Sequence, residues 1–322
     1  MTEQPAPSQP LVPWSLLLPN EPLSKRLKRA FTFAPEPFDV ENRFVTSWIV
    51  APFTLAAIRM TIGSYILSSI LFIIAWSCTH PATTGGCVAS RRSFSYFTVL
   101  AFWGQAFYFI VAAIHTFFHA SCPGHLSLLS RFRRPFGALH SFFYSSVVVF
   151  PLLVSMIYWA MIFKGPWRGS TFDSWRNVSQ HALNSVFALF EMTLTRTLLL
   201  PVVHLLWLFC IIVAYLGVAF LTNADQDFFV YAFLDKDQVG GAGLVTAYIA
   251  CVAMALVVLF VVAQVIIRVR LWGVEDRKNV LGEAVTTSTQ SSPEAELRAI
   301  NPDNNKAPEK KQCFPPTPLA AY

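Results

Sequence analysis

Between Glu41 and Asp173 the chain contains no aspartate and no glutamate. A soluble domain of ordinary composition is about one quarter charged, so a stretch this long without acid does not belong to a water-facing surface. Over the whole chain hydrophobic residues reach 54% and charged ones only 13%, and the mean hydropathy is +0.50. The sequence therefore reads as an all-α polytopic membrane protein. Six runs are long enough to cross a hydrocarbon layer of about 30 Å: 54–76, 94–117, 138–163, 175–196, 202–221 and 244–267.

These runs divide the chain. Residues 1–45 hold eight prolines and a basic knot at Lys25, Arg26, Lys28 and Arg29, a composition that buries no core and reads as a disordered tail. Residues 46–270 form the expected six-helix transmembrane domain, and 271–322 a polar tail, again disordered. No signal peptide is evident, since the first basic residue is Lys25. The net charge of +6 reads as membrane-surface bias and not as nucleic-acid binding. The partners implied are membrane lipids.

Orientation follows from the basic residues. With the N-terminus in the cytosol, Arg43, Arg131, Arg133, Arg134, Arg196, Arg268, Arg270, Arg277 and Lys278 flank the cytosolic side, nine in all. The opposite side holds six, Arg91, Arg92, Lys164, Arg168, Arg176 and Lys236. Both termini are expected in the cytosol, in the endoplasmic reticulum or the plasma membrane.

The fourth run is unlike the others. At 100° per residue Asn177, His181, Asn184 and Glu191 fall, with Ala188 and Thr195, within about 40° of one line. A polar stripe at membrane depth must face protein or a water-filled cavity. It can serve as interhelical glue, or as a reaction or transport site. Glue has no need of groups that titrate, and His181 and Glu191 do.

Thr98, near the start of the second run, lies at the same depth as His181 in either orientation. A threonine hydroxyl is a poor nucleophile until a base takes its proton, and histidine is the usual base. Gln105, two turns below Thr98, and Asn184, one turn from His181, are candidate donors to a carbonyl oxygen. Asp173 or Glu191 is a candidate to orient the imidazole. Arg59, close to the start of the first run, is expected to snorkel to the headgroups. His115 and His119 have i, i+4 spacing, but no further ligand lies close in sequence. They read as interfacial histidines, as do His140 and His204, and no metal or cofactor is expected. Cys78 and Cys87 share a loop around Gly85 and Gly86, so a disulfide is open to them if the loop is exoplasmic.

Three stretches resemble the androgen-induced-gene family of polytopic membrane proteins. Tyr96-Phe97-Thr98 with Gln105-Ala106 resembles a family helix with a Gln seven residues after its Thr. Trp175 with Gln180-His181-Ala182-Leu183 is similar to the family's Trp and Asn-His segment. Ala214-Tyr215 through Val230-Tyr231-Ala232-Phe233-Leu234-Asp235 resembles a Gly-Tyr to Val-Tyr-Pro-Phe-Leu-Glu run. The departures are Gln180 in place of Asn, and Thr222, Asn223 and Ala224 where the family carries paired His. The resemblance implies an intramembrane threonine hydrolase that splits fatty acid esters of hydroxy fatty acids, with Thr98 and His181 as the catalytic pair. The cleft is then expected between the second and fourth runs, open sideways to lipid. The rival class is a non-enzymatic multi-pass protein, a transporter or a scaffold.

Overall fold

The computed structural model describes residues 38–39, 41–122, 128–131, 134–163, 165 and 170–276. The tails at 1–37 and 277–322 lie outside the described residues. Among the described residues no strand forms, and one isolated bridge joins Ser47 to Thr195. The long helices are α1 (Pro52–Thr79), α2 (Phe97–Ser121), α3 (Pro135–Ile162), α4 (171–194), α5 (Val203–Gln226) and α6 (Ala242–Arg270).

Five of these, α1, α2, α3, α5 and α6, are long and apolar enough to cross a membrane. The chain is an all-α polytopic membrane protein. The fourth run also forms helix, but its stripe keeps α4 out of that apolar set.

α1 and α2 pack most extensively. Gly63 permits it: a Cβ there would meet the Ile110 side chain at 2.8 Å and its backbone nitrogen at 3.1 Å. Ile66 and Ile70 of α1, Phe102, Ala106 and Phe109 of α2, Val148 of α3 and Leu256 and Phe260 of α6 join in one buried cluster. α5 is apolar on all sides, as a lipid-facing helix is, and leaves Leu206, Val213 and Leu221 exposed. The turn after α1 is closed by a Cys78–Cys87 disulfide, with Gly85 and Gly86 at φ +80° and +72°.

α4 runs alongside α1 from end to end. At one end Phe172 stacks on Trp76 and Trp175 meets Phe72 edge-on. At the other, the segment before α1 takes the carbonyls that α4 leaves unsatisfied, as every helix C-terminus must. Ser47 Oγ donates to the Leu194 carbonyl at 2.5 Å and Trp48 Nε1 to that of Thr193 at 2.6 Å. Arg270 of α6 reaches the Met192 carbonyl at 2.9 Å, and also those of Thr195 and Thr197. The folded body begins earlier than residue 46, since Phe38 and Val45 are buried in a small cluster with Leu129.

Arg59 does not snorkel. It is fully buried and grips the Glu191 carboxylate, its Nε at 3.1 Å from Oε2 and its Nη2 on Oε1. Its Nη1 donates to Thr116 Oγ1 at 2.6 Å and to the Phe44 carbonyl at 2.9 Å. Tyr108 completes the carboxylate shell at 2.8 Å. An arginine near a helix start has two ways to avoid hydrocarbon, and the partner on α4 decides between them.

Candidate functional site

Thr98 stands in the first turn of α2, half-buried. It lines an apolar cavity of about 130 Å³ between α2, α3, α5 and α6, walled by Leu153, Ile157, Phe209 and Val252 among others. The lining includes three phenols, Tyr158, Tyr215 and Tyr231. A second, larger groove of about 570 Å³ lies between α2, α3 and α5 and shares Phe97 and Tyr215 with the first. Both spaces flank α5, which packs loosely against its neighbours. These two spaces lie on the α3 and α5 side of α2 and not between the second and fourth runs, where α2 and α4 meet through Gln105 and Asn184.

His181 is carried by a π turn. α4 is α-helical over Thr171–Val178, π-helical over Ser179–Leu183 and α-helical again over Asn184–Leu194. The cause is local. The Ser185 N–H, whose ordinary partner in an α-helix is the His181 carbonyl, turns to the Asn184 side-chain oxygen at 2.7 Å. Two α3 side chains donate to the His181 carbonyl, Ser155 Oγ at 2.7 Å and Trp159 Nε1 at 2.8 Å. Tyr65 of α1 bonds Ser179 at 2.7 Å. π turns of this kind recur at functional sites.

The imidazole lies flat on Tyr158, ring centroids 3.5 Å apart and planes within 2°. Tyr158 itself opens a second π segment, Tyr158–Ile162, at the end of α3. Tyr158 therefore joins the two halves of the candidate site, since it lines the Thr98 cavity and carries His181. No hydrogen bond joins Thr98 to His181, and His181 Nδ1 is buried without a partner.

The expected orienting acids are engaged elsewhere. Glu191 belongs to Arg59 and Tyr108, and Asp173 pairs with Arg176 at 3.2 Å. Gln105 and Asn184 meet each other and not Thr98: Gln105 Nε2 donates to the Asn184 carbonyl at 2.8 Å. Asn184 Oδ1 lies 2.9 Å from the Ser155 hydroxyl, whose one proton it shares with the His181 carbonyl. Both are buried, and neither lines the cavity. His140 and His204 are buried within the protein as well, with Ser145 on His204 Nδ1 at 2.7 Å. The His115 ring faces that of His140 at 6.0 Å.

Three residues near Thr98 escaped sequence reasoning. Tyr215 and Tyr231 accept the Phe97 N–H at 3.0 and 3.2 Å, and the Thr98 hydroxyl lies beside the Tyr231 phenol. Both tyrosines sit in the third resembling stretch, which was a signal of place without one of role. Tyr158 gave none, being one aromatic among many.

No protein-family model, no curated protein and no solved structure matches the chain.

Proposed function

We propose that the chain is an intramembrane hydrolase of lipid esters, with Thr98 as nucleophile and His181 as base and then acid. The observation that carries this reading is the setting of Thr98: a hydroxyl in the wall of an apolar cavity whose other wall, at Tyr158, bears the His181 imidazole. A cavity of this lining suits a hydrocarbon chain, and hydrocarbon is what surrounds a polytopic bundle. The substrate class is a fatty acid ester of a hydroxy fatty acid, on the strength of the three resembling stretches. Two hydrocarbon arms find two spaces, the cavity and the neighbouring groove, which share Phe97 and Tyr215.

In this reading α4 makes the sixth crossing and both termini face the cytosol, in the endoplasmic reticulum or plasma membrane. Water enters from the exoplasmic face to release the acyl group. The chemistry calls for no cofactor. For Thr98 to pass its proton to the imidazole, the stacked Tyr158 and His181 rings move together toward the hydroxyl, a side-chain motion of the kind that completes many sites only when substrate is bound.

A second reading is a non-enzymatic membrane scaffold. It is favoured by the stripe itself, whose Asn184 and Glu191 are spent on interhelical bonds. A fluorophosphonate probe separates the two. Covalent labelling that vanishes in Thr98→Ala supports the hydrolase, and a wild-type chain that never labels supports the scaffold.

A further inference from the structure

Two phenols converge on the backbone beside Thr98. The Phe97 N–H, in the first turn of α2, has no intrahelical acceptor. It is shared by Tyr215 at 3.0 Å and Tyr231 at 3.2 Å. A phenol has one proton to give. Tyr215 gives its proton to the Ser95 carbonyl, 2.8 Å away. Tyr231 owes its proton to no carbonyl: its hydroxyl lies beside those of Thr98 and Tyr215, in the wall of the Thr98 cavity, so its proton is available to an acceptor placed there. Its ring is held in place, stacked on Phe233 at 5.1 Å and edge-on to Tyr96 at 5.8 Å. Burial raises the Tyr231 phenol above its ordinary value, so it remains protonated at neutral pH and acts as a donor. The Phe97 N–H, at the positive end of the α2 dipole, polarises that O–H further.

We propose that Tyr231 is the hydrogen-bond donor that receives the oxyanion when Thr98 attacks a lipid ester. The role rests on the hydrolase reading. Thr98 Oγ bonds to the ester carbon while the carbonyl electron pair moves onto its oxygen. The Thr98 proton passes to His181. Tyr231 keeps its own proton and turns it to the new anion. When the intermediate collapses, the carbonyl re-forms and the departing alkoxide takes the proton from His181. The acyl group stays on Thr98 until water repeats the sequence. Tyr215 is a positioning residue, which holds Ser95, Phe97 and Tyr231 in register.

The test is kcat and KM of the purified full-length chain on a fatty acid ester of a hydroxy fatty acid. Tyr231→Phe keeps the ring and loses the donor, so kcat should fall on the order of 100- to 1000-fold with KM unchanged. Full kcat in Tyr231→Phe overturns the proposal and leaves the hydrolase reading standing, whereas an inactive wild type removes the reading and this role with it. A second variant guards against a folding defect. With 3,5-difluorotyrosine in place of Tyr231 the shape is kept but the phenol is more acidic, so kcat should fall at a lower alkaline pH than in wild type. A merely structural tyrosine would leave that limb where it was, and an unmoved limb overturns the proposal.

Discussion

Tyr158 lies on His181 as one ring on another, 3.5 Å between centroids and 2° from parallel. The stack ties the end of α3 to the π turn of α4 and fixes the imidazole plane, a task for which Asp173 and Glu191 are not free. If His181 is the base, its reach depends on this stack. Tyr158→Leu should therefore lower kcat on the order of 100-fold, the cost of misplacing a catalytic group by about 1 Å. Tyr158→Phe keeps the stack and should keep the rate. Equal loss in both variants would mean that the phenol oxygen, not the stack, is what counts.

Gln105 and Asn184 hold α2 and α3 to the π turn and do not face Thr98. Gln105→Met keeps the volume and removes the bond to the Asn184 carbonyl, a loss of about 1–3 kcal/mol of stability. Thermal unfolding in detergent should register that loss while kcat stays near wild type. A selective fall in kcat with unchanged stability would return Gln105 to the oxyanion role that its position two turns from Thr98 first suggested.

Arg59 and Glu191 are a buried pair whose desolvation is offset only because Tyr108, Thr116 and the Phe44 carbonyl fill the remaining valences. Arg59→Met or Glu191→Met alone strands a charge, at a cost of about 3–5 kcal/mol. The double replacement Arg59→Met with Glu191→Met strands neither, and its melting temperature should lie above that of both single variants. A double variant that melts below either single one would show that the pair is not the anchor between α1 and α4.

Reporters fused at residue 1 and residue 322 test the crossing of α4. Six crossings put both on the cytosolic side, and five put them on opposite sides. The Cys78–Cys87 disulfide fits an exoplasmic loop, so maleimide should label neither thiol in intact membranes until a reductant is added.

The membrane fold was legible because hydropathy carries it: the expected 54–76 and 244–267 fall inside α1 and α6. The polar stripe of α4 was legible from helical spacing, and so was the Cys78–Cys87 bridge from the shared loop. Arg59 was misread because its partner lies 132 residues away and no periodicity links them. The π turns were hidden for another reason. The one in α4 goes with the Ser185 N–H turning to Asn184 and with Ser155 and Trp159 taking the His181 carbonyl across the helix interface, which a one-helix pattern does not contain. Thr98 was distinguishable from other membrane threonines only through its depth beside His181 and the resembling stretches. The cavity around it depends on how loosely α5 packs, a property of four helices together.

The most direct test of the account is release of fatty acid from a branched fatty-acid ester by purified, detergent-solubilised protein. Thr98→Ala and His181→Ala should each abolish it while expression, melting temperature and labelling topology stay as in wild type. Their losses should not add in the double variant, because nucleophile and base act as a unit. Thr98→Ser, which keeps the hydroxyl and loses only the methyl that restricts its rotamer, should retain part of the rate. Full hydrolysis by Thr98→Ala would contradict the account at its centre.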